Sequence, residues 1–230
     1  METTPEPQPQ ESGQADLRPL STAVGGEASF PPLMTRPAQF DQFSNIWSSQ
    51  RGEVPIQFWQ FTGDPDGFLI LGDQASIGGE PFDPSPVQLF KAMPGQEAAL
   101  AHPTGFTWIL DDKGSGNPND INYFWPVAPL GYSALGIAIS STGEAPDPAN
   151  YWCVRDDLLL PADTGPAWSD NGSGWSHHNG NLSCPVFGSS EPPAPQVAIL
   201  PMTFLSDEFT NDNNGITNSF ALLLTTAPTA

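Results

Sequence analysis

Short apolar or aromatic runs, separated by Gly, Pro, Asn and Asp, make up the chain from Phe43 onward. Runs of this length between turn residues predict β-strands joined by tight turns. Residues 1–40 are different, because they are polar and proline-rich and show no sustained period of 2 or 3.6. We therefore expect a disordered or draped N-terminal arm over residues 1–40 and a single β domain over residues 41–230.

The pattern repeats along the chain. Trp47, Trp108 and Trp168 are 61 and then 60 residues apart, and each begins a run that continues through a polar turn into a second run. The segments GFLILGD from Gly67 and GYSALGI from Gly131 are 64 residues apart, and PQVAILP follows at the same step. This spacing predicts three copies of one unit, each with a tryptophan hairpin and about four strands in all.

Three such units allow a β-prism, a β-trefoil or a small propeller. An all-β, β-prism-like fold is favoured, since propellers usually have at least four blades and trefoil units are commonly shorter than about 60 residues. Burial of a large aromatic side chain stabilises a fold by roughly 3 kcal/mol. The common centre is expected to hold five tryptophans: Trp47, Trp59, Trp108, Trp125 and Trp168. We also expect residues 43–47 to pair with residues 219–225, so that the N- and C-terminal strands close the three pseudo-symmetric four-stranded units.

Charge and composition narrow the function classes. The chain has 26 acidic and 6 basic residues, a formal charge of −20, which repels phosphate backbones and excludes nucleic-acid binding. No apolar run reaches the roughly 20 residues of a membrane span, and the first residues do not resemble a standard signal peptide. We expect a cytoplasmic or non-classically exported protein. Cys153 and Cys184 are expected to be reduced thiols, with a disulfide as the alternative.

Three consecutive motifs carry a family resemblance: WILDDKGSG, YFWPVAPLGYSALG and CVRDDL, in this order. With them the chain resembles the vacuolar-protein-sorting family number sixty-two, most closely from Trp108 to Gly174. The resemblance implies a β-prism-like fold. In some relatives it also implies a place beside membrane-damaging or insecticidal toxin modules. It implies no catalytic mechanism.

The most polar loop of the chain occurs twice, as DDKGSG and as DNGSG. Carboxylates and amides spaced this closely can bond sugar hydroxyls or collect the oxygen ligands of calcium, and a nearby tryptophan can stack on a sugar ring. The alternative is that these residues form the turn itself, through Asx-type bonds and positive φ at glycine. The candidate ligand-binding residues are Asp111, Asp112, Gly114, Ser115, Asp170, Asn171, Gly172, Ser173 and Trp175.

The sequence thus favours a non-enzymatic recognition module that binds carbohydrate, as a lectin does, and belongs to a toxin or defence system. Its partner would be a glycan or protein receptor, with no required cofactor. The first alternative is a protein-interaction or trafficking module whose acidic surface binds a basic protein partner. The second is a toxin component that acts on membranes. An enzyme is not expected, because no acid, base, nucleophile or metal cluster emerges from the motifs.

Overall fold

The computed structural model describes residues 32–49, 54–169, 181–186, 197–199, 203–204, 206 and 220–225. These residues form an all-β fold whose only helical elements are four short 3-10 turns. The strands are β1 (Leu33–Pro37), β2 (Phe43–Ser48), β3 (Ile56–Phe61), β4 (Gln74–Ile77), β5 (Gln88–Ala92), β6 (Leu100–Ala101), β7 (Gly105–Asp111), β8 (Asn122–Val127), β9 (Tyr132–Ser133), β10 (Ala138–Ser140), β11 (Cys153–Arg155), β12 (Leu159–Pro161), β13 (Asp163–Ser169), β14 (Asn181–Val186), β15 (Val197–Ile199) and β16 (Phe220–Thr225). No helix in this part of the chain has the length and hydropathy that a membrane span requires.

The three tryptophan runs form antiparallel hairpins, as predicted. They are β2–β3, β7–β8 and β13–β14. In each hairpin the pairing register shifts by one residue on the first strand, at Ile46, Ile109 and Ala167. A bulge of this kind leaves one residue unpaired and turns the side chains that follow it toward the other face of the sheet.

The described strands form six antiparallel sheets. β4 extends the first hairpin to a sheet of order β2-β3-β4, and β10 extends the second to a sheet of order β10-β8-β7, while β13 and β14 form a sheet by themselves. The other three sheets have the orders β1-β5, β6-β11-β9 and β12-β16-β15. In each of these, a strand that precedes a hairpin pairs with a strand that follows the same hairpin along the chain.

The predicted closure by the chain ends is wrong. β16 lies between β12 and β15 and pairs antiparallel with both, so both of its edges are already used. β2, which contains the N-terminal segment expected to join it, pairs with β3. The physical reason is that β12 and β16 flank the third hairpin along the chain. β16 therefore pairs with β12, as the flanking strands of the other two hairpins pair with each other.

The predicted boundary of the N-terminal arm, at residue 40, lies too far along the chain. Leu33–Pro37 forms β1, pairs in continuous register with β5, and buries Leu33 in a core cluster. Residues 33–40 therefore belong to the folded body rather than to an arm. Residues 1–31 lie outside the described residues.

A core cluster lies where the three hairpins meet. It contains Trp47 and Phe58 from the first hairpin, Leu110 and Tyr123 from the second, and Leu182 from the third. Trp125 and Trp168 pack against this cluster, partly buried, as expected of two of the predicted tryptophans. Trp59 instead belongs to a separate cluster, where its ring stacks on Phe82 with centroids 4.8 Å apart.

The prediction of five tryptophans in one centre is therefore wrong for Trp59 and also for Trp108, because 45% of the Trp108 surface is exposed. The bulge at Ile109 explains this, since it changes which side chains of β7 point inward. Leu110, only 1% exposed, takes the core position that Trp47 has in the first hairpin.

Both cysteines are free thiols, which confirms the expectation from the sequence. Cys153 is buried in β11, and burial raises the pKa of its thiol to about 12. Burial also raises the pKa of the Cys184 thiol, which is half-buried in β14. Thiols with such pKa values carry little thiolate near neutral pH, so they are poor nucleophiles.

Candidate functional site

The first predicted loop, residues 111–120, joins β7 to β8 at the end of the second hairpin. The last strand pair is Asp111 with Asn122, and the Asp112 amide then donates to the Ile121 carbonyl at 3.1 Å. Gly114 and Gly116 have φ values of +86° and +80°, a region that favours glycine. In this copy of the motif, Gly114 and Gly116 therefore serve the turn.

Asp112 holds the loop in shape. Its Oδ1 accepts from the Ile121 amide at 2.6 Å, and its Oδ2 accepts from the Ser115 hydroxyl at 2.9 Å and from Asn117 Nδ2 at 3.1 Å. Burial raises the pKa of the Asp112 carboxyl, against the lowering effect of these hydrogen bonds. Ser115 is itself buried. Asp112 and Ser115, two of the predicted ligand residues, therefore use their side-chain oxygens for hydrogen bonds within the loop.

Replacement of Asp112 by alanine removes three hydrogen bonds that the loop donates to its carboxylate. We expect a loss of about 1–2 kcal/mol in the free energy of unfolding, because the Ile121 amide is left without its acceptor. Urea unfolding would measure the loss. Asp120→Ala is the matched control, since Asp120 is an exposed residue of the same loop. Equal effects of the two substitutions would contradict the assigned role of Asp112.

The neighbouring hairpin fixes the far side of the loop. The indole N–H of Trp47, on β2, donates to the Asn119 carbonyl at 2.8 Å. Because Trp47 is itself part of the core cluster, the loop is anchored to the rigid centre of the fold. Lys113, Asn119 and Asp120 remain exposed on this loop. Their side chains can meet a ligand without unfolding the turn.

Trp108 lies next to this loop on the outer face of the hairpin. Its indole N–H donates to Asn122 Oδ1 at 3.3 Å, and Asn122 pairs with Asp111 where the loop begins. The register shift at Ile109 is what leaves this large ring exposed beside polar residues. An exposed indole beside carboxylate and amide groups is the arrangement that sugar-binding sites use.

The second predicted loop lies outside the described residues. Its flanking strands β13 and β14 are present, and the Trp168 indole N–H donates to the Val54 carbonyl at 3.0 Å. The predicted residues of this loop are Asp170, Asn171, Gly172, Ser173 and Trp175.

A second polar site lies in the interior, and the motif analysis missed it. Asp73 is only 2% exposed, and its Oδ2 accepts from the Tyr151 hydroxyl at 2.7 Å and from the Ile139 amide at 2.7 Å. Its Oδ1 is buried with no hydrogen-bond partner. Burial raises the pKa of Asp73 to about 7, against the lowering effect of both hydrogen bonds. A signal was present, because Asp73 in GFLILGD stands where GYSALGI has Ile137.

The backbone around Asp73 is packed without spare space. A Cβ placed on Gly72 would lie 2.8 Å from the Gly136 Cα, and one on Gly136 would lie 2.8 Å from the Thr203 Cβ. The Asp73 amide donates to the Ile137 carbonyl at 2.9 Å. The two glycine segments recognised in the sequence therefore touch each other, and Thr203 meets them as a third component.

Arg36 organises a polar cluster on the surface near β1. Its guanidinium pairs with Asp64 and, at 2.9 Å, with Asp66, and it lies 4.6 Å from the centre of the Phe68 ring. The Lys91 ammonium donates to the Asp66 carbonyl at 2.5 Å and lies 5.8 Å from the same ring. Burial opposes ionisation of Asp64, yet the hydrogen bonds from Arg36 and from two backbone amides lower its pKa overall. These contacts tie β1 and β5 to the loop after β3.

No group of three or more His, Cys, Asp or Glu side chains within the described ranges is arranged to hold a metal ion. The Asp112 carboxylate, which the calcium hypothesis would need, is already bonded to three donors of its own loop. The calcium hypothesis therefore gains no support from the loop at residues 111–120.

Comparisons with known proteins identify a family to which the chain is similar and a solved structure with a similar fold. The family model described as Vacuolar protein sorting-associated protein 62 matches residues 34–173. The crystal structure of GNIP1Aa from Chromobacterium piscinae is similar, with a TM-score of 0.66 and 19% sequence identity. The match covers 85% of this chain and 37% of the GNIP1Aa chain, and at this identity it shows a similar fold alone. No curated protein sequence matches the chain.

Proposed function

The chain belongs to the vacuolar protein sorting-associated protein 62 family, and we propose that it is a non-enzymatic carbohydrate-recognition module. The observation that carries the proposal is the exposed Trp108 ring beside the rigid loop of residues 111–120. The ring would stack on the apolar face of a pyranose, while Asp111, Asn119 and Asp120 would bond its hydroxyls. Trp108 thus takes the stacking role that the sequence assigned to Trp175.

Rigidity of the loop supports this proposal. The loop is held by Asp112 from inside and by the Trp47 indole from the neighbouring hairpin. A binding site that is already ordered loses little conformational entropy when its ligand arrives, and this matters for sugars because each contact is weak. The two three-stranded sheets that contain the hairpins β2–β3 and β7–β8 therefore act as a scaffold for the loop.

We further infer that the domain is a prism-like body of three related units. Strands β1–β5, β6–β11 and β12–β16 would form the units, each with one bulged hairpin and one sheet that pairs its first strand with its last. Three units would place three hairpin turns at equivalent positions, which permits gain in avidity from repeated weak sites. In a longer protein of a toxin or defence system, such a module would supply attachment to a glycan receptor.

The test is a glycan array followed by titration with the bound neutral glycan, read by tryptophan fluorescence. Trp108→Ala is expected to weaken binding by about tenfold, because it removes a stacking contact worth about 1–1.5 kcal/mol. Trp108→Phe keeps an aromatic face and should retain most of the affinity. Leu130→Ala is the matched control, since Leu130 is a fully exposed apolar residue elsewhere on the surface.

Absence of any saturable glycan response from the folded protein would overturn the carbohydrate proposal. The acidic-surface alternative then becomes the one to test, through capture of basic proteins that is lost at high salt. Binding that survives intact in Trp108→Ala would leave a glycan module but move the site away from Trp108.

A further inference from the structure

Asp73 and Tyr151 form a buried hydrogen-bonded pair between two sheets, and the carbohydrate proposal makes no use of it. Asp73 directly precedes β4, in the sheet of the first hairpin. Its carboxylate accepts the backbone N–H of Ile139, which lies on β10 in the sheet of the second hairpin. Tyr151, from the segment before β11, donates its hydroxyl to the same carboxylate oxygen. On its other side the Tyr151 oxygen accepts from Gln60 on β3 at 3.3 Å.

The position of Asp73 is fixed by its own backbone. Its amide donates to the Ile137 carbonyl, and the preceding Gly72 touches Gly136 so closely that neither can carry a Cβ without displacement. The Asp73 residue is therefore held in the interior, with only 2% of its surface exposed. One carboxylate oxygen, Oδ1, stays buried with no partner.

A buried carboxyl group in this position is stable as a neutral acid and unstable as an anion. Among the described residues, Tyr151 is the only titratable side chain that contacts the Asp73 carboxyl group, and β10 contributes the Ile139 amide. No charged group contributes to the raised pKa of Asp73. His102 faces the pair from outside, with Nδ1 2.9 Å from the Tyr151 carbonyl oxygen. No cation in the described part of the chain therefore pairs with an ionised Asp73.

We propose that the Asp73–Tyr151 pair is a pH-sensitive switch that controls how firmly the sheets of the first and second hairpins are held together. With its proton, Asp73 joins β4 to β10 through neutral hydrogen bonds. Without it, a buried charge lies beside the contact between Gly72 and Gly136, and the two segments separate more readily. The module is thus held most firmly at acidic pH, and the contact loosens as the pH rises toward 7.

The direction of the effect on stability follows from proton binding. An unfolded Asp has a pKa near 3.8, whereas burial raises the pKa of folded Asp73 to about 7. The folded state therefore holds one more proton between these values, and the stability from this group is complete below pH 4 and is lost as the pH rises to 7. The unfolding equilibrium constant should rise by up to about tenfold per pH unit in that window and level off above it.

The test compares urea unfolding of the full chain from pH 4 to pH 9 in four proteins. Wild type should show the rise described above. Asp73→Asn, which is neutral at every pH and can still accept both hydrogen bonds, should lose that component of the pH dependence. Asp41→Asn removes one exposed carboxylate and should keep the pH dependence of the wild type between pH 4 and pH 7. Tyr151→Phe removes a hydrogen bond that favours the charged form, so the levelling-off should move to higher pH.

A second readout on the wild-type protein keeps the proposal testable if Asp73→Asn does not fold. The carboxyl carbon of Asp73, followed by 13C NMR, should titrate near pH 7. The hydrogen-exchange protection of the Ile139 amide should fall as the pH rises from about 4 to about 7 and then level off. Titration of Asp73 below pH 5, or identical pH profiles for wild type and Asp73→Asn, would overturn the switch.

Discussion

Gly72→Ala is expected to destabilise the protein by about 3 kcal/mol. The new Cβ would lie 2.8 Å from the Gly136 Cα and 3.0 Å from the Gly136 carbonyl carbon. These are backbone atoms, which cannot turn away as a side chain can, so the two segments must move apart. Urea unfolding would report the loss as a lower midpoint with an unchanged slope.

Gly105→Ala is the matched control for this substitution. Gly105 is the first residue of β7, a Cβ there meets nothing within 4 Å, and its φ lies outside the left-handed region. We expect a change within about 0.5 kcal/mol. If both alanine variants unfold at the same urea concentration, the close contact between Gly72 and Gly136 does not exist in solution.

Phe58→Ala is expected to destabilise the protein by about 3–5 kcal/mol, since it removes a large side chain from the centre of the fold. Phe58 is 1% exposed, and its ring meets Tyr123 edge-on at 5.4 Å and Trp47 at 6.0 Å. It therefore joins the first hairpin to the second. The cavity left behind is lined by rigid strands that cannot close over it.

Phe40→Ala makes the same chemical change at a site that is 55% exposed. Its ring touches Trp59 and Phe82 at centroid distances of 5.5 and 6.2 Å, so a loss of about 1 kcal/mol is expected. Calorimetry of both variants would separate the two sites by several degrees in Tm. A Phe58→Ala loss no larger than that of Phe40→Ala would contradict the shared core.

The elements that the sequence predicts well are those set by neighbours along the chain. The three hairpins follow from alternating apolar runs around short polar turns, and the glycines of DDKGSG have the positive φ that such a turn needs. Both depend on interactions within a few residues, which the spacing of residue types records directly.

The predictions that failed depend on partners far along the chain. Whether β16 pairs with β2 or with β12 depends on which of the two strands has a free edge next to it in space. The apolar residues of β16 fit either pairing, so they do not distinguish the two. The exposure of Trp108 depends on one bulged residue, Ile109, which lies between exposed Trp108 and buried Leu110, two positions that would share one face of a regular strand. The amino-acid composition of the strand does not show where such a bulge occurs.

The candidate sites show the same division. The turn around Asp112 was predictable, but the proximity of Trp108 to its base appears only once the strands are paired. Asp73 was visible as an acid in an apolar position of a repeated segment, yet its partner Tyr151 lies far along the chain and in a different repeat segment. The contact of Thr203 with Gly136 was not predicted, because the sequence around Thr203 has neither the glycines nor the 64-residue spacing of the other two segments.

Because the strands of each sheet lie close together along the chain, the gene for this fold can be lengthened by tandem duplication. Each of the six sheets takes its described strands from one continuous stretch of chain, either β1 to β5, β6 to β11 or β12 to β16. A stretch of DNA that encodes β6 to β11 therefore carries both of its sheets whole. Tandem copying of that stretch adds a finished piece without opening the sheets on either side, whereas a fold with exchanged strands would have to break two hydrogen-bonded edges for each insertion.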